Sequence, residues 1–382
     1  MVSHNIWLRD HCRCSECFHP VTKQRLVNTF DIPADIAPLS VESKQYGLEV
    51  TWPAPAPHTS IYPWLWLQEH SYDPPARPKL ENATDPEKVL WGSNIAQNPP
   101  TVTFEEAMTD QGLFEWLSKV DKFGLCLITG VPPTTEGTEK LSERIGFIRE
   151  TKYGKLWEMT ADLAMGDTAY TNVALGAHTD NTYFTDPSGL QLLHVLSHTG
   201  GTGGKTLLVD GFHVAATLKE RHPESYTLLS TVPIPAHAAG DDGGIYQASP
   251  KSGYPTLSHD LVTRELYQVR WNNNDRSVMD HLDPKIVEEW YEAIRIWNRL
   301  LKSADSEYWV QLSPGTALIV NNHRVLHGRS SFTGRRWVCG SYIVFDEFKS
   351  KLAVLKERFD PDRVTADTRD PSSGSSVWSP AL

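Results

Sequence analysis

The sequence TALIVNNHRVLHGR, residues 316–329, joins a short apolar run to two histidines, His323 and His327. A short apolar run bounded by polar residues is typical of a buried β-strand. Similar runs recur between residues 178 and 345, separated by Gly, Pro, Asn and Asp: LQLLHVL, KTLLVDGF, LYQVRW and VCGSYIVF. Many short strands with such punctuation predict a sandwich or barrel, here a jelly roll or double-stranded β-helix.

Helical patterns flank these strands. Residues 104–120 predict one helix, and Leu141, Ile145 and Ile148 share a face at helical spacing. A further helix begins near Asp283, a capping residue, and Pro284, and its apolar side carries Val287, Trp290, Ile294, Trp297 and Leu301. We therefore predict a mostly β fold with flanking helices.

Proline-dense stretches between residues 53 and 100 indicate a domain boundary. We predict a small N-terminal domain over residues 1–90 and a larger β domain over residues 91–350. A C-terminal extension over residues 351–382 is expected to end in a disordered segment, because its last residues are poor in apolar side chains.

Composition restricts the class of partner. The net charge of −11 argues against a nucleic-acid or anionic-membrane surface, because both need concentrated Lys and Arg. No apolar run of about 20 residues is present to span a bilayer, and the first residues lack the features of a signal or transit peptide. We expect a small-molecule partner and a reducing, cytoplasmic location.

The stretch GAHTDNTYF, residues 176–184, contains a His-x-Asp pair, His178 and Asp180. Such a pair is also common in loops without function, so it needs a third ligand. His327 is the better candidate, because Gly328 lets the backbone approach a site, and His323 is the alternative. Two histidines and one carboxylate form the facial triad of non-haem Fe(II) oxygenases, which leaves coordination positions open for a co-substrate and O₂.

The strand after His327 carries an arginine that is predicted to face inward. Side chains alternate along RRWVCGSY, residues 335–342, so one face presents Arg336, Val338, Gly340 and Tyr342. A buried guanidinium needs an anion, and a dicarboxylate bound to the iron would provide one. A structural Asp or Glu partner for Arg336 is the alternative.

Three of the five cysteines, Cys12, Cys14 and Cys17, lie within six residues. Their C-x-C-x-x-C spacing suits a tetrahedral structural zinc, which needs a fourth ligand. Candidates for that ligand are the nearby histidines His11, His19, His58 and His70. Reduced cysteines without a metal are the alternative.

The motifs WLRDHCRCSEC, HTDNTYF, GGTGGKTLLVDGF, VRWNNNDR and RVLHGRSSFTG resemble the γ-butyrobetaine hydroxylase family, the Fe(II)- and 2-oxoglutarate-dependent hydroxylases of carnitine biosynthesis. The resemblance implies iron ligation by His178, Asp180 and His327, and 2-oxoglutarate binding by Arg336 with Thr206. It also implies zinc ligation by Cys12, Cys14, Cys17 and His58, with O₂ as co-substrate and ascorbate as reductant.

Substrates of this family end in a trimethylammonium group, which aromatic faces recognise. The resemblance assigns this cage to Tyr153, Trp157, Tyr170 and Tyr342, and Tyr153 and Trp157 would share one side if their segment is helical. Asp167 would pair with the α-ammonium of Nε-trimethyllysine, and Asn272 would contact the carboxylate end. The resemblance therefore implies C3 hydroxylation of trimethyllysine.

Two other functions stay open. One is hydroxylation of γ-butyrobetaine, and the other is metal binding without turnover by a cupin-like protein. Relatives usually carry residues before WLRD, including a targeting peptide in animals, so the N-terminal domain is expected to be truncated or a short form. The mitochondrial matrix is the alternative to the cytoplasmic location if a targeting segment is missing from this chain, and a homodimer is a separate expectation.

Overall fold

The computed structural model describes residues 3–53, 57–74, 88–160, 171–241 and 243–359. Chain contacts divide these residues into two compact units. One holds the described residues up to 74 together with those from 356 onward, and the other holds residues 88–355. The domain limits drawn from the sequence stay a prediction.

The first unit is built on a small antiparallel sheet with the strand order β1-β2-β3. Its elements are α1 (Asn5–Asp10), β1 (Ser40–Lys44), β2 (Gly47–Trp52), β3 (His58–Pro63) and α2 (Trp64–Glu69). Buried side chains from both helices and from β2 and β3 form its core: Leu8, Val50, Trp52, Tyr62, Trp66 and Leu67. The register of β2 and β3 places His58 opposite Trp52.

The second unit contains two larger sheets, with the orders β4-β5-β17-β8-β19-β6 and β16-β9-β18-β7. Their strands are β4 (Thr101–Thr103), β5 (Leu125–Thr129), β6 (Trp157–Met159), β7 (Leu175–His178), β8 (Leu190–Thr199) and β9 (Thr206–Asp210), followed in the chain by three two-stranded sheets. The strands of those small sheets are β10 (Pro233–Ile234), β11 (His237–Asp241), β12 (Gly244–Gln247), β13 (Tyr254–Pro255), β14 (Leu257–His259) and β15 (Leu266–Val269). The remaining strands of the two larger sheets are β16 (Tyr308–Val310), β17 (Thr316–Asn321), β18 (Val325–Arg329) and β19 (Arg335–Ile343).

One apolar core joins the two larger sheets, because residues of both pack into it. Leu318, Val195 and Val338 come from the six-stranded sheet, and Leu208 and Val325 come from the four-stranded sheet. The prediction of a jelly-roll type of fold is confirmed at this level. Four of the apolar runs quoted from the sequence are the inner strands β8, β9, β17 and β19, and the fifth, LYQVRW, contains β15 of a two-stranded sheet.

Helices accompany the sheets of the second unit. They are α3 (Phe104–Ala107), α4 (Asp110–Phe123), α5 (Thr135–Glu143), α6 (Gly211–Arg221), α7 (Pro223–Thr231), α8 (Val287–Leu301) and α9 (Phe345–Phe359), which continues into the first unit. In the described part of the chain, no helix is both long enough and apolar enough to cross a membrane.

The single helix predicted over residues 104–120 is wrong, because the structure has two helices, α3 and α4. Thr103 and Glu106 form a capping box at the start of α3, and the Thr109 hydroxyl accepts a hydrogen bond from Gly112 N at the start of α4. A second threonine cap so close behind the first begins a new helix in a new direction. Apolar periodicity alone did not reveal this break.

The helix predicted around Leu141, Ile145 and Ile148 is shorter than expected. It ends at Glu143, so that only Leu141 of the three lies on it. The helix predicted from residue 283 is closer to the prediction: Asp283 caps a short 3₁₀ turn, Pro284–Ile286, and α8 follows directly. Trp290, Ile294, Trp297 and Leu301 are buried on its inner side.

Candidate functional site

Strand register brings the two candidate metal-ligand histidines together. In the antiparallel pair β7 and β18, His178 and His327 are direct partners, and their ring centroids lie 4.6 Å apart. Asp180 follows β7 by two residues, and its Oδ1 lies 3.4 Å from Nε2 of His178 and 3.5 Å from Nε2 of His327. One ligand atom from each of the three residues lies within 4.8 Å of the others.

Close backbone contact sets the orientation of this pair. A Cβ at Gly328 would lie 2.5 Å from the carbonyl oxygen of Leu175 and 2.9 Å from that of Gly176, so only glycine lets β7 approach β18 here. The carbonyl of Gly176 also lies 2.8 Å from Nδ1 of His178. In the neutral imidazole, that hydrogen bond places the proton on Nδ1, so Nε2 is the nitrogen whose lone pair a metal ion could use.

The local charges keep Asp180 ionised. Burial, the largest single influence, would raise the pKa of this carboxyl. The charge of His327 and the hydrogen bonds to both histidines outweigh burial and hold the pKa well below its usual range. An anionic oxygen between two imidazole nitrogens is a donor set that suits Fe(II).

His323, the alternative third ligand, lies elsewhere. Its Nε2 is 3.3 Å from the carbonyl oxygen of Pro187, and its ring stacks on Phe345 at 4.8 Å. It does not belong to the group of candidate ligands formed by the described residues.

Arg336 lies in the wall of a cavity of about 510 Å³ that also contains the triad. Val338 and Tyr342 line the same cavity, as alternation along β19 requires. Burial, and then the positive charge of Arg329, lowers the pKa of Arg336 to about 10. Among the described residues, no carboxylate forms an ion pair with Arg336. Thr206, which is buried at the start of β9, also lines the cavity.

Aromatic side chains cover another part of this cavity. Tyr153, Trp157 and Tyr342 line it, and the ring centroids of Trp157 and Tyr342 lie 6.0 Å apart. A Cβ at Gly340 would lie 2.1 Å from the Trp157 ring, so this glycine makes room for the indole. Tyr170 and Asp167 lie outside the described residues.

The segment that contains Tyr153 and Trp157 is not helical, so the condition for their shared helical side is not met. Thr151 and Gly154 close a tight turn, and Trp157 begins strand β6. Both rings nevertheless reach the cavity. Tyr183, which the sequence analysis did not single out, also lines it, and its hydroxyl lies 3.1 Å from that of Tyr153.

The loop after β15 adds polar groups to the cavity wall. Asn272 and Asp275 both line it, and Nδ2 of Asn272 donates to Oδ2 of Asp275 at 2.9 Å. The hydroxyl of Thr182 donates to the same oxygen at 3.0 Å. Asp275 was not singled out as a site residue, although it lies within the quoted motif VRWNNNDR.

Asp180 is held by Tyr342 and by two residues that the sequence analysis missed, Asn322 and Gln191. Its backbone N–H donates to Oδ1 of Asn322 at 2.7 Å, and Nδ2 of Asn322 donates to its carbonyl at 3.0 Å. Oδ2 of Asp180 accepts from Nε2 of Gln191 at 2.6 Å and from the Tyr342 hydroxyl at 2.7 Å. A glutamine inside the apolar run LQLLHVL was the available signal, because a buried amide needs a partner.

The first unit contains a second group of candidate metal ligands. Nε2 of His58 lies 3.2 Å from Sγ of Cys12, 3.6 Å from that of Cys14 and 3.5 Å from that of Cys17. A tetrahedral zinc with bonds of about 2.3 Å to sulfur and about 2.0 Å to nitrogen separates such atoms by about 3.5 Å. The donor set and its spacing therefore fit zinc.

The other three candidates for the fourth zinc ligand, His11, His19 and His70, have other partners. Nδ1 of His11 lies 2.7 Å from the carbonyl of Trp7, and Nδ1 of His70 lies 2.8 Å from that of Trp66. Nδ1 of His19 accepts from backbone N–H groups of the following turn. Only His58 of the four belongs to the described metal-ligand group.

Comparisons with known proteins agree on one group of relatives. Residues 87–342 match the model of the "Taurine catabolism dioxygenase TauD, TfdA family", and residues 1–68 match "Gamma-butyrobetaine hydroxylase-like, N-terminal". Trimethyllysine dioxygenase of Meyerozyma guilliermondii is 44% identical over 92% of this chain and 90% of its own length. The human mitochondrial trimethyllysine dioxygenase is 40% identical, over 92% and 82%, and human gamma-butyrobetaine dioxygenase is 30% identical, over 92% and 91%.

Proposed function

The chain belongs to the TauD, TfdA family of dioxygenases, and we propose that it hydroxylates Nε-trimethyllysine to 3-hydroxy-Nε-trimethyllysine, the first step of carnitine biosynthesis. The observation that carries this proposal is the 39–44% identity with proteins named trimethyllysine dioxygenase, against 30% with gamma-butyrobetaine dioxygenase. The cavity supports it, because candidate iron ligands, a buried arginine and aromatic rings share one space.

His178, Asp180 and His327 would hold Fe(II). Support comes from their convergent ligand atoms and from the ionised state of Asp180. Two histidines and one carboxylate leave three positions of an octahedral iron open. When bound there, iron together with 2-oxoglutarate supplies the oxidation of a C–H bond by O₂, while the protein contributes binding and orientation.

Arg336 and Thr206 would hold the distal carboxylate of 2-oxoglutarate. A guanidinium binds a carboxylate through two parallel hydrogen bonds, and the low dielectric of the cavity strengthens them. Binding of the dianion would also relieve the repulsion between Arg336 and Arg329 that contributes to the lowered pKa of Arg336. The guanidinium thereby orients the co-substrate toward the metal side of the cavity.

Tyr153, Trp157 and Tyr342, with Tyr170, would form the cage for the trimethylammonium group. This cation cannot donate a hydrogen bond, so the negative faces of aromatic rings are its best partners, and each contributes about 0.5–2 kcal/mol. The cage would fix which C–H bond faces the metal, because the rest of the substrate extends from it at a set length.

The α-ammonium of trimethyllysine requires an anionic partner, and γ-butyrobetaine has no such group. Asp167 remains our candidate from the sequence. Asp275 is a second candidate, because its carboxylate lines the cavity beside Asn272, which would contact the substrate carboxylate. A carboxylate at this end favours the amino acid over γ-butyrobetaine.

The N-terminal unit would bind one structural zinc through Cys12, Cys14, Cys17 and His58, as their spacing supports. Ascorbate as reductant and a homodimer remain predictions. The cytoplasmic location is also a prediction, and several of the animal relatives are named mitochondrial.

The proposal is tested by measuring succinate released from 2-oxoglutarate, together with the mass of the product, for trimethyllysine and for γ-butyrobetaine. We expect succinate and a product one oxygen heavier with trimethyllysine. Turnover of γ-butyrobetaine alone would establish the alternative substrate. Metal binding without succinate release from either would establish a cupin-like binding protein.

A further inference from the structure

We propose that Gln191 and Tyr342 are positioning residues that keep Asp180 a one-oxygen metal ligand. We call these two residues the carboxylate clamp. This inference rests on the proposed metal site and concerns how the site keeps a coordination position open.

The two oxygens of Asp180 have different surroundings. Oδ1 faces the imidazoles, at 3.4 Å from Nε2 of His178 and 3.5 Å from Nε2 of His327. Oδ2 accepts the amide of Gln191 at 2.6 Å and the hydroxyl of Tyr342 at 2.7 Å. Oδ1 of the carboxylate therefore faces the other candidate metal ligands, and Oδ2 is held by the carboxylate clamp.

Strand pairing builds the clamp. Gln191 on β8 and Tyr342 on β19 are direct partners in the antiparallel register, so their side chains leave the sheet at neighbouring points. Gln191 is only 3% exposed, and a buried amide at this depth is stabilised only when it is hydrogen-bonded. The amide of Gln191 must donate here, since an ionised carboxylate can only accept.

The clamp restricts the way in which Asp180 can bind a metal. Two donors occupy the lone pairs of Oδ2, so chelation through both oxygens would break two short hydrogen bonds in a buried place. Chelation would also occupy one of the three positions left by the protein ligands. If iron is bound there, a co-substrate held through two of its atoms and an O₂ molecule would together need all three.

The backbone of Asp180 is fixed separately. Oδ1 of Asn322 accepts a hydrogen bond from the Asp180 N–H, and Nδ2 of Asn322 donates one to the Asp180 carbonyl. The side-chain carboxylate of Asp180 can then still rotate. Gln191 and Tyr342 remove that freedom. Tyr342 thereby has two roles, because its ring lines the cavity wall and its hydroxyl holds the ligand.

The experiment compares Gln191→Met and Tyr342→Phe with the wild-type protein. Each substitution keeps the approximate volume and removes one donor to Oδ2. The metal-free proteins are titrated with Mn²⁺ alone, without 2-oxoglutarate or substrate, and water-proton relaxation then counts the exchangeable waters on the bound ion. The control is Gln268→Met, because Gln268 is also a buried strand glutamine but does not line the cavity.

We expect both clamp variants to bind Mn²⁺ about 10- to 100-fold more weakly, which is the usual effect of losing a partner of a metal ligand. We also expect the number of exchangeable waters to fall from three toward two, since a released carboxylate can chelate. Gln268→Met should behave as wild type. Wild-type affinity and three waters in both clamp variants would overturn the proposal, even if the protein hydroxylates trimethyllysine.

Failure of the proposed function gives a different pattern. In that case the wild-type protein would bind Mn²⁺, and the clamp variants would bind it more weakly. Neither trimethyllysine nor γ-butyrobetaine would cause release of succinate from 2-oxoglutarate. Tyr342→Phe differs from wild type by one oxygen atom, so it provides the measurement if Gln191→Met does not fold.

Discussion

At the residue scale, the third metal ligand depends on which of two nearby histidines faces the cavity. His327 is the strand partner of His178, whereas His323 stacks on Phe345. The two histidines are close in the sequence. His323 lies in the turn before β18 and His327 lies on that strand, so their side chains point to different parts of the protein. The direction of the side chain therefore decides which of the two histidines can serve as the third metal ligand.

We predict that His327→Ala abolishes 2-oxoglutarate turnover, because one of three metal ligands is lost. His323→Ala is the matched control and should retain turnover, although its stability will be lower because a stacked, buried ring is removed. Succinate release and thermal unfolding are measured for both variants. Activity in His327→Ala together with inactivity of a folded His323→Ala would exchange the two assignments.

Substrate choice is predicted to depend on a carboxylate. Asp275→Asn keeps the shape and the oxygen that accepts from Thr182, but removes the charge. If Asp275 pairs with the α-ammonium, kcat/KM for trimethyllysine should fall about tenfold to a hundredfold, because a hydrogen bond to a charged group contributes about 1.5–3 kcal/mol. Asp167→Asn is measured in parallel.

The γ-butyrobetaine rate is the internal reference for this prediction. That substrate lacks the amine, so its kcat/KM should change little or rise when the negative charge is removed. An equal fall for both substrates in a variant would show that the carboxylate supports the loop and does not read the amine.

At the element scale, the N-terminal unit joins a cysteine loop to a strand. The loop after α1 provides three thiols, and β3 begins with His58, which lies opposite Trp52 of β2. Neither element alone could hold a metal with four protein ligands. Bound zinc would link them, and its binding free energy would add to the stability of this unit.

We predict about one zinc per chain in natively purified protein, and its loss in Cys14→Ser and His58→Ala. The histidine control is His70→Ala, because His70 bonds the carbonyl of Trp66 and lies outside the cluster. Metal analysis and thermal unfolding are the measurements. Full zinc content in His58→Ala, or its loss in His70→Ala, would contradict the ligand set.

At the scale of the whole molecule, stability should depend on a buried neutral histidine. His194 lies on the central strand β8 with no exposed surface, and its Nδ1 is 2.9 Å from the Thr138 hydroxyl. Burial lowers the pKa of His194 from 6.5 to about 4. Between these two values the unfolded chain binds more protons than the folded one, so stability falls as the pH is lowered through this interval.

We predict that the free energy of unfolding of the wild type decreases relative to His194→Leu by roughly 1–2 kcal/mol between pH 7 and pH 5, since each pH unit contributes at most about 1.4 kcal/mol. Urea unfolding of both proteins at several pH values measures this difference. Taking the difference cancels the titration of carboxylates common to both. A constant difference across this pH range would show that His194 is not protonated on unfolding.

The sequence by itself determined the local features of this protein. Apolar runs marked β8, β9, β17 and β19, and alternation along β19 set Arg336 and Tyr342 on one face, because the side-chain period of a strand is fixed by its backbone. The residue types of the triad and of the cysteine loop indicated their chemistry. Family motifs then gave the reaction.

Only the tertiary structure decided which side chains meet. The register of β7 with β18 made His327 the partner of His178, and that of β8 with β19 brought Gln191 and Tyr342 to one oxygen of Asp180. The apolar periodicity of the sequence likewise did not show that one helix ends and another begins at Thr109. Nor did it show that Asp275 lies in the cavity wall. The physical reason is that periodicity fixes the face of a strand but not its partner, which is selected by packing between residues far apart in the chain.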